Sequence, residues 1–183
     1  MKQAPPSQVR QNYHPDCEAA VNSHVTLEFH ASMLCLDVAF YLRRDGDVAV
    51  RYFTWFFVYR SGDHSSRVWN LICLQNNRRG RLNFLNIGNP VSDNWNSGLK
   101  AMKCALFLEK CVYQSLLHLY QLATDKSDHQ LRHFLATHYL SQQVAFIREL
   151  EGHVTTLSMM EAPDVDLAGS LFENLTLGDS DKN

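Results

Sequence analysis

Apolar residues recur at helical spacing along most of this 183-residue chain. From about His14 to Arg43 the stripe is Val21, Val25, Ala31, Cys35, Val38 and Leu42, which predicts a first long helix. The RRDGD stretch reads as a turn. A second periodic segment runs from about Val48 to Asn77, through Val50, Phe53, Phe57, Val68, Leu71 and Leu74. NNRRGRLNFLNIGNPVSDN then breaks the pattern with two Gly, a Pro and many Asn. That connection is longer than the usual helix–helix loop, as a bundle with a parallel pair of helices requires. A third helix is expected from Asp93, as N-cap, to about Thr124, with Leu99, Met102, Leu106, Val112, Leu116, Leu119 and Ala123 on one face. Ser127 and Gln130 have the capping-box spacing, and a fourth helix follows to about Met159 through Phe134, Leu135, Tyr139, Leu140, Val144, Ile147, Leu150, Val154 and Leu157. After Pro163 a short helix is expected over 164–175.

Four helices of about 30 residues, each about 45 Å long, make an all-α four-helix bundle with one long crossover and a short fifth helix. The whole chain, 1–183, reads as a single domain: a loose tail over 1–13, the bundle over 14–159, and the short helix.

The second helix carries an interruption. VYRSGDHSSRVWNL places Gly62, Asp63, Ser65 and Ser66 in mid-helix, where all are poor or mediocre helix formers, and sets His64 and Arg67 near the inward stripe. Polar residues fall inward elsewhere too. Glu28 lies between Val25 and Ala31, Glu109 between Leu106 and Val112, and Gln143 between Tyr139 and Ile147. Each helix thus sends a polar side chain toward one place. A buried carboxylate is costly unless it is paired or binds a metal, and bundle proteins build iron sites from inward carboxylates and histidine. Oxygen ligands and imidazole both suit iron. The competing reading is a solvated or salt-bridged Glu, and convergence on a metal holds only where the helical registers match.

Composition narrows the class. The chain is 45% hydrophobic and 20% charged with a formal net charge of -2, so nothing global favours nucleic acid or an acidic membrane as partner. Cys17, Cys35, Cys73, Cys104 and Cys111 are odd in number and form no C-x-x-C pair, which points to packed, reduced thiols in the cytoplasm. KQAPPSQVRQN has no apolar core of a signal peptide, and the apolar run Tyr52–Tyr59 is too short to span a bilayer. There is no internal repeat.

SQVRQNYHPDCEAAVN, CLQNNRRGRL, DNWNSGLKAMKCALFLEK, QSLLHLYQLATDKSD, THYLSQQV and LFENLTLGDSD together resemble the ferritin heavy chain family, in the same order and over nearly the whole chain. Gly46 looks like a one-residue insertion in the first turn. The resemblance implies a hollow 24-subunit shell that stores iron as a ferric mineral, by self-association or by co-assembly with ferritin heavy and light chains. It also implies a diiron ferroxidase centre, with Glu28, Glu109 and Gln143 at ligand positions and Cys35 in place of a nearby Tyr.

The departures fall on the odd stretch. The family's second helix reads roughly S-H-E-E-R-E-H-A-E, and this chain reads SGDHSSRVW. The bridging Glu becomes His64 and the His ligand becomes Arg67. Neutral imidazole binds one iron but cannot bridge two as a carboxylate does, and Arg has no lone pair to offer. The Arg67 guanidinium is therefore expected where iron would sit, paired with Glu28 and reaching Glu109. Further departures follow the same resemblance. His133 and Ala136 stand where channel carboxylates would draw Fe²⁺ inward, and Ser66 and Trp69 replace acidic residues of the inner surface. Leu167, Leu171 and Leu175 would form an apolar plug at a fourfold axis, or pack on their own bundle. The sequence thus predicts an iron-storing shell subunit with ferroxidase activity weak or lost. The rivals are a residual ferroxidase using Glu28, Asp63, His64, Glu109 and Gln143, and a structural or regulatory subunit.

Overall fold

The structure is a computed structural model that describes residues 12–44, 48–86, 95 and 97–160. It contains α1 (Pro15–Arg44), α2 (Val48–Asn77), α3 (Gly98–Asp125), α4 (His129–Leu135), a π-helical turn (Ala136–Leu140) and α5 (Ser141–Met160). α4, the π turn and α5 form one rod, so the described residues make a four-helix bundle. Arg43 and Arg44 of the RRDGD stretch end α1, while its residues 45–47 with Gly46, the proposed cap Asp93, and the 164–175 helix with Leu167, Leu171 and Leu175 lie outside the described residues.

Contacts fix the directions. Ser32 bonds Ser61 while Gln75 bonds the Glu18 carbonyl, so α2 runs antiparallel to α1. His24 meets Ser115 while Glu28 and Glu109 share His64, so α3 is also antiparallel to α1. α2 and α3 are therefore parallel, and no tight turn joins parallel neighbours. Residues 81–85 of the crossover lie along α1. Asn22 donates to the Arg81 carbonyl, the Leu85 amide donates to Thr26, and Phe84 meets Phe29 edge-on.

Three expectations change. Tyr13, placed in the loose tail from sequence, is buried at 3% exposure; its hydroxyl donates to Gln75 and the Arg78 guanidinium lies over its ring. The cap of α3 is Ser97, whose hydroxyl accepts from the Lys100 amide. The cap of α4 is Asp128, not Ser127: its carboxylate accepts from the Leu131 amide and also holds Arg78 through two 3.0 Å bonds. Ser127, at φ 56°, serves instead as the left-handed joint between α3 and α4.

By length and hydropathy α1 meets the test for crossing a membrane. Its buried face, however, includes Glu18, Asn22, His24, Glu28 and Ser32, each packed inside the bundle. That is the face of a core helix.

α2 stays helical through its weak middle because both flanks are anchored. Phe53, Phe57, Val68, Leu71 and Leu74 are buried, and Ser32 of α1 bonds both Ser61 and Ser65. Tertiary packing outweighs local propensity here. Gly62 itself is exposed, and a Cβ there would meet nothing within 4 Å. Gly62→Ala is therefore expected to raise stability by about 0.5–1 kcal/mol, from the higher helix propensity of Ala alone. A thermal melt showing no gain, or a loss, would contradict a continuous α2.

Candidate functional site

At mid-height the bundle encloses a cluster of charged side chains instead of apolar ones. α1 supplies His24 and Glu28, α2 supplies Arg60, His64 and Arg67, α3 supplies Glu109, and α5 supplies Gln143. All seven are buried. Glu28 is three residues after Val25 and three before Ala31, so the apolar stripe of α1 carries it into the core. The same holds for Glu109, midway between the partly buried Leu106 and Val112.

Gln143 reaches its place through the π turn. Leu131, Leu135, Tyr139, Gln143 and Ile147 are all buried and step by four throughout. In a regular α-helix each such step overshoots one turn by about 40°, so the last positions would rotate off the core. The wider turn at Ala136–Leu140 takes up that drift. Tyr139 then donates to the Arg67 carbonyl, and the Gln143 amide faces Glu109.

Every carboxylate oxygen in the cluster is engaged. Glu28 Oε2 lies 2.5 Å from His64 Nδ1, and its Oε1 lies 3.1 Å from His24 Nε2 and 3.5 Å from Arg67 Nη1. Glu109 is gripped by Arg60 through two 2.7 Å bonds, Nε to Oε1 and Nη2 to Oε2. His64 Nε2 adds a 3.0 Å contact to Oε1, and Gln143 Nε2 donates to Oε2 at 2.6 Å. His64 has a carboxylate at each ring nitrogen. Only the imidazolium has a donor on both nitrogens, so the geometry selects the charged ring between the two ionised Glu.

The electrostatics follow. Burial pushes the Glu28 carboxyl up, but hydrogen bonds from His24 and His64 outweigh it and hold the group far below the usual carboxylate range. Burial also opposes ionisation of Glu109, and Arg60 and His64 overcome it, bringing its pKa to about 2. For His64, burial lowers the value while the bonds to Glu109 and Glu28 raise it by more. Arg60 is likewise raised, against burial, by Glu109. Burial pushes the Cys35 thiol well above its ordinary range, so no thiolate forms beside the cluster.

The sequence-predicted residues divide clearly. Glu28, His64, Arg67, Glu109 and Gln143 converge. Asp63 stays at the rim, with its side chain 41% exposed and 3.3 Å from Arg60 Nη1. His133 and Ala136 are exposed on the fourth rod, away from the cluster. Arg67 differs from its expected partnership. Its short bond, 2.6 Å, goes to Gln143 Oε1, and the guanidinium that holds Glu109 belongs to Arg60. Neither Arg60 nor His24 was among the sequence candidates. Both stood on inward stripes, Arg60 three residues after Phe57 and His24 three after Val21.

These shifts give the network a defined pH range. The folded value of His64 is raised above 6.5, so its contribution is complete below about 6.5 and fades as pH climbs through the raised value. Glu28 and Glu109 are lowered from 4.5, so theirs is complete above about 4.5 and fades as pH falls, for Glu109 through about 2. Urea midpoints measured against pH should therefore be highest between about 4.5 and 6.5 as far as this network sets them. His64→Gln should flatten the alkaline limb; a limb of unchanged slope would show that His64 is not the titrating group.

A family model described as a ferritin-like domain matches residues 18–160. That span contains the four-helix bundle and every member of the cluster. Members of the family store iron, and their subunits assemble into shells. With most of its length matched, and with the parallel pair and long crossover of the bundle in place, the chain belongs to the ferritin family.

Proposed function

We propose that this chain is a subunit of a 24-subunit ferritin shell in the cytoplasm that stores iron without oxidising it at a centre of its own. One observation carries the reading: all four carboxylate oxygens of Glu28 and Glu109 face nitrogen donors, and of those seven nitrogens six belong to His or Arg. Binding Fe²⁺ there requires unshared lone pairs on those oxygens and on an imidazole. Here His64 directs both ring nitrogens at carboxylates, and two guanidiniums add fixed positive charge that repels a dication. Among the described residues no group of three or more His, Cys, Asp or Glu is arranged to hold a metal ion. Iron is thus the cargo of the shell. It reaches the mineral by slow autoxidation or through oxidising subunits of other ferritin chains in a mixed shell.

The ferroxidase reading is tested by stopped-flow oxidation of Fe²⁺ in air. The homopolymer should oxidise iron no faster than buffer. The triple variant Arg60→Gln/His64→Glu/Arg67→His, which removes both guanidiniums and supplies a bridging carboxylate and an imidazole, should oxidise it at least tenfold faster. Rapid oxidation by the unaltered homopolymer would sink the proposal and favour a working ferroxidase.

Support for assembly comes from the outer face of α1. Phe29, Leu36 and Phe40 share one stripe there and are 40%, 50% and 75% exposed. The crossover beside it exposes Leu82, Phe84 and Leu85. Exposed apolar area of this extent marks an interaction surface, and a closed shell needs patches that match copies of themselves. Tyr41, beside it, is half-buried under the Arg44 guanidinium. The double substitution Phe40→Glu/Leu82→Glu is expected to yield monomers or dimers by analytical ultracentrifugation where the parent chain sediments as a shell. Intact shells from the variant would place the contact elsewhere.

A further inference from the structure

Three cavities of about 420, 350 and 370 Å³ lie in line along the seam where α2 faces α4, the π turn and α5. Among the described residues this is the neighbouring pair of rods whose backbones approach least. The middle cavity lies against the charged cluster. Arg67 forms its floor, Ser66, Asn70, His138 and Gln142 stand around its rim, and Arg60 stacked 3.8 Å over the Phe146 ring closes one end.

Arg67 is the cation of the cluster without a carboxylate of its own at short range. Arg60 has Glu109, and Glu28 is held by His24 and His64. The short bond of Arg67 goes to the neutral Gln143 amide, with Glu28 at 3.5 Å. Arg67 is 9% exposed, yet only its Nη1 donates within the described residues. Nε and Nη2 have no acceptor there, and each keeps some solvent-accessible surface in a side chain that lines the cavity. Three of the five N–H groups of the guanidinium are thus left unused, two of them along the edge from Nε to Nη2. That edge presents two N–H groups side by side, the fork that matches two oxygens of an oxyanion. Burying a cation with so little compensation is costly, and an anion in the cavity would remove the cost.

We propose that this cavity is an oxyanion site of phosphate class, in which the Nε and Nη2 edge of Arg67 grips two oxygens and Ser66, Asn70 and Gln142 donate to the others. Asp63 also lines the cavity, but at its Arg60 end, where Arg60 Nη1 lies 3.3 Å from its carboxylate. A place where ferritins bind cations would then receive anions. The inference rests on Arg67 filling that place, as in the function proposed above, and not on the absence of ferroxidase activity.

The test is isothermal titration of the full-length assembled protein, free of iron, with inorganic phosphate, phenyl phosphate, sulfate and chloride. Inorganic phosphate should bind saturably at one site per subunit, and chloride should neither bind nor compete. Phenyl phosphate binding more tightly than inorganic phosphate would identify a phosphate ester as the natural ligand; the reverse order would identify the free ion. Arg67→Met should weaken phosphate at least tenfold. Because Arg67 lies in the core and its variant can misfold, Gln142→Glu at the exposed rim provides the second measurement. It puts a carboxylate at the mouth and should also weaken phosphate at least tenfold. No saturable phosphate binding, or binding that Gln142→Glu leaves unchanged, overturns the site. Since no iron is present, neither outcome depends on the oxidation assay, and rapid iron oxidation would count against the proposed function alone.

Discussion

Two carboxylates, Glu28 and Glu109, are buried within reach of one imidazole, and the interior of this bundle is organised around compensating them. Like charges this close in a dry interior cannot both ionise without cations of good geometry. The chain brings those cations from α2: His64 between the carboxylates, Arg60 forked on Glu109, and Arg67 across to Gln143. Three of the four rods are thereby tied to α2 through charge. Helix packing alone would leave their relative rotation free to settle by side-chain volume. The paired charges fix it, because a small rotation of any rod breaks a short, directional bond.

The same constraint accounts for irregularities that have no apolar explanation. The π turn at Ala136–Leu140 keeps Gln143 aimed at Glu109 and Arg67 after three successive four-residue steps. The Ser32, Ser61 and Ser65 hydroxyls let α1 and α2 approach closely beside the cluster, where larger side chains would hold His64 away from Glu28. The seam between α2 and the fourth rod stays open because two long guanidiniums stand in it, Arg60 stacked on Phe146 and Arg67 near Tyr139.

Much of this was legible in the chain. The apolar stripes gave the bounds of α1 and α2 to within a residue, with Pro15 in the first position of α1, where a helix tolerates proline. Five of the seven cluster members stood out because a polar residue in an apolar stripe is conspicuous. Arg60 and His24 occupy equally inward positions but were passed over. Arg60 is flanked by Tyr59 and Ser61 and reads as the polar edge of the stripe, and a long guanidinium can reach inward from such an edge. The caps were illegible for another reason. Ser127 and Asp128 are both good capping residues, and Asp128 is selected by Arg78, which is distant in sequence. Asp93 against Ser97 was a local ambiguity of the same kind. The π turn did leave a signal, the unbroken four-residue spacing from Leu131 to Ile147, which a search for ordinary helical periodicity absorbs without notice.

Organic cations and metal ions solve the problem of Glu28 and Glu109 differently. A metal compensates the carboxylates only when it is bound, so the folding energy of such a bundle is linked to metal supply. Arg60, His64 and Arg67 are covalently part of the chain, and their compensation is present whether or not iron is. They also remove what a redox centre needs, because a guanidinium offers neither a lone pair nor an accessible second oxidation state. On the proposed function, these cations preserve the constraint that shapes the fold while giving up redox chemistry at the same place, and the two effects have one cause. In the proposed shell, a subunit stabilised in this way would arrive already neutralised at its core. Its contribution to iron storage would then lie in the surfaces it presents, the apolar face of α1 toward other subunits and, on the anion-site proposal, the open seam beside Arg67 toward small anions.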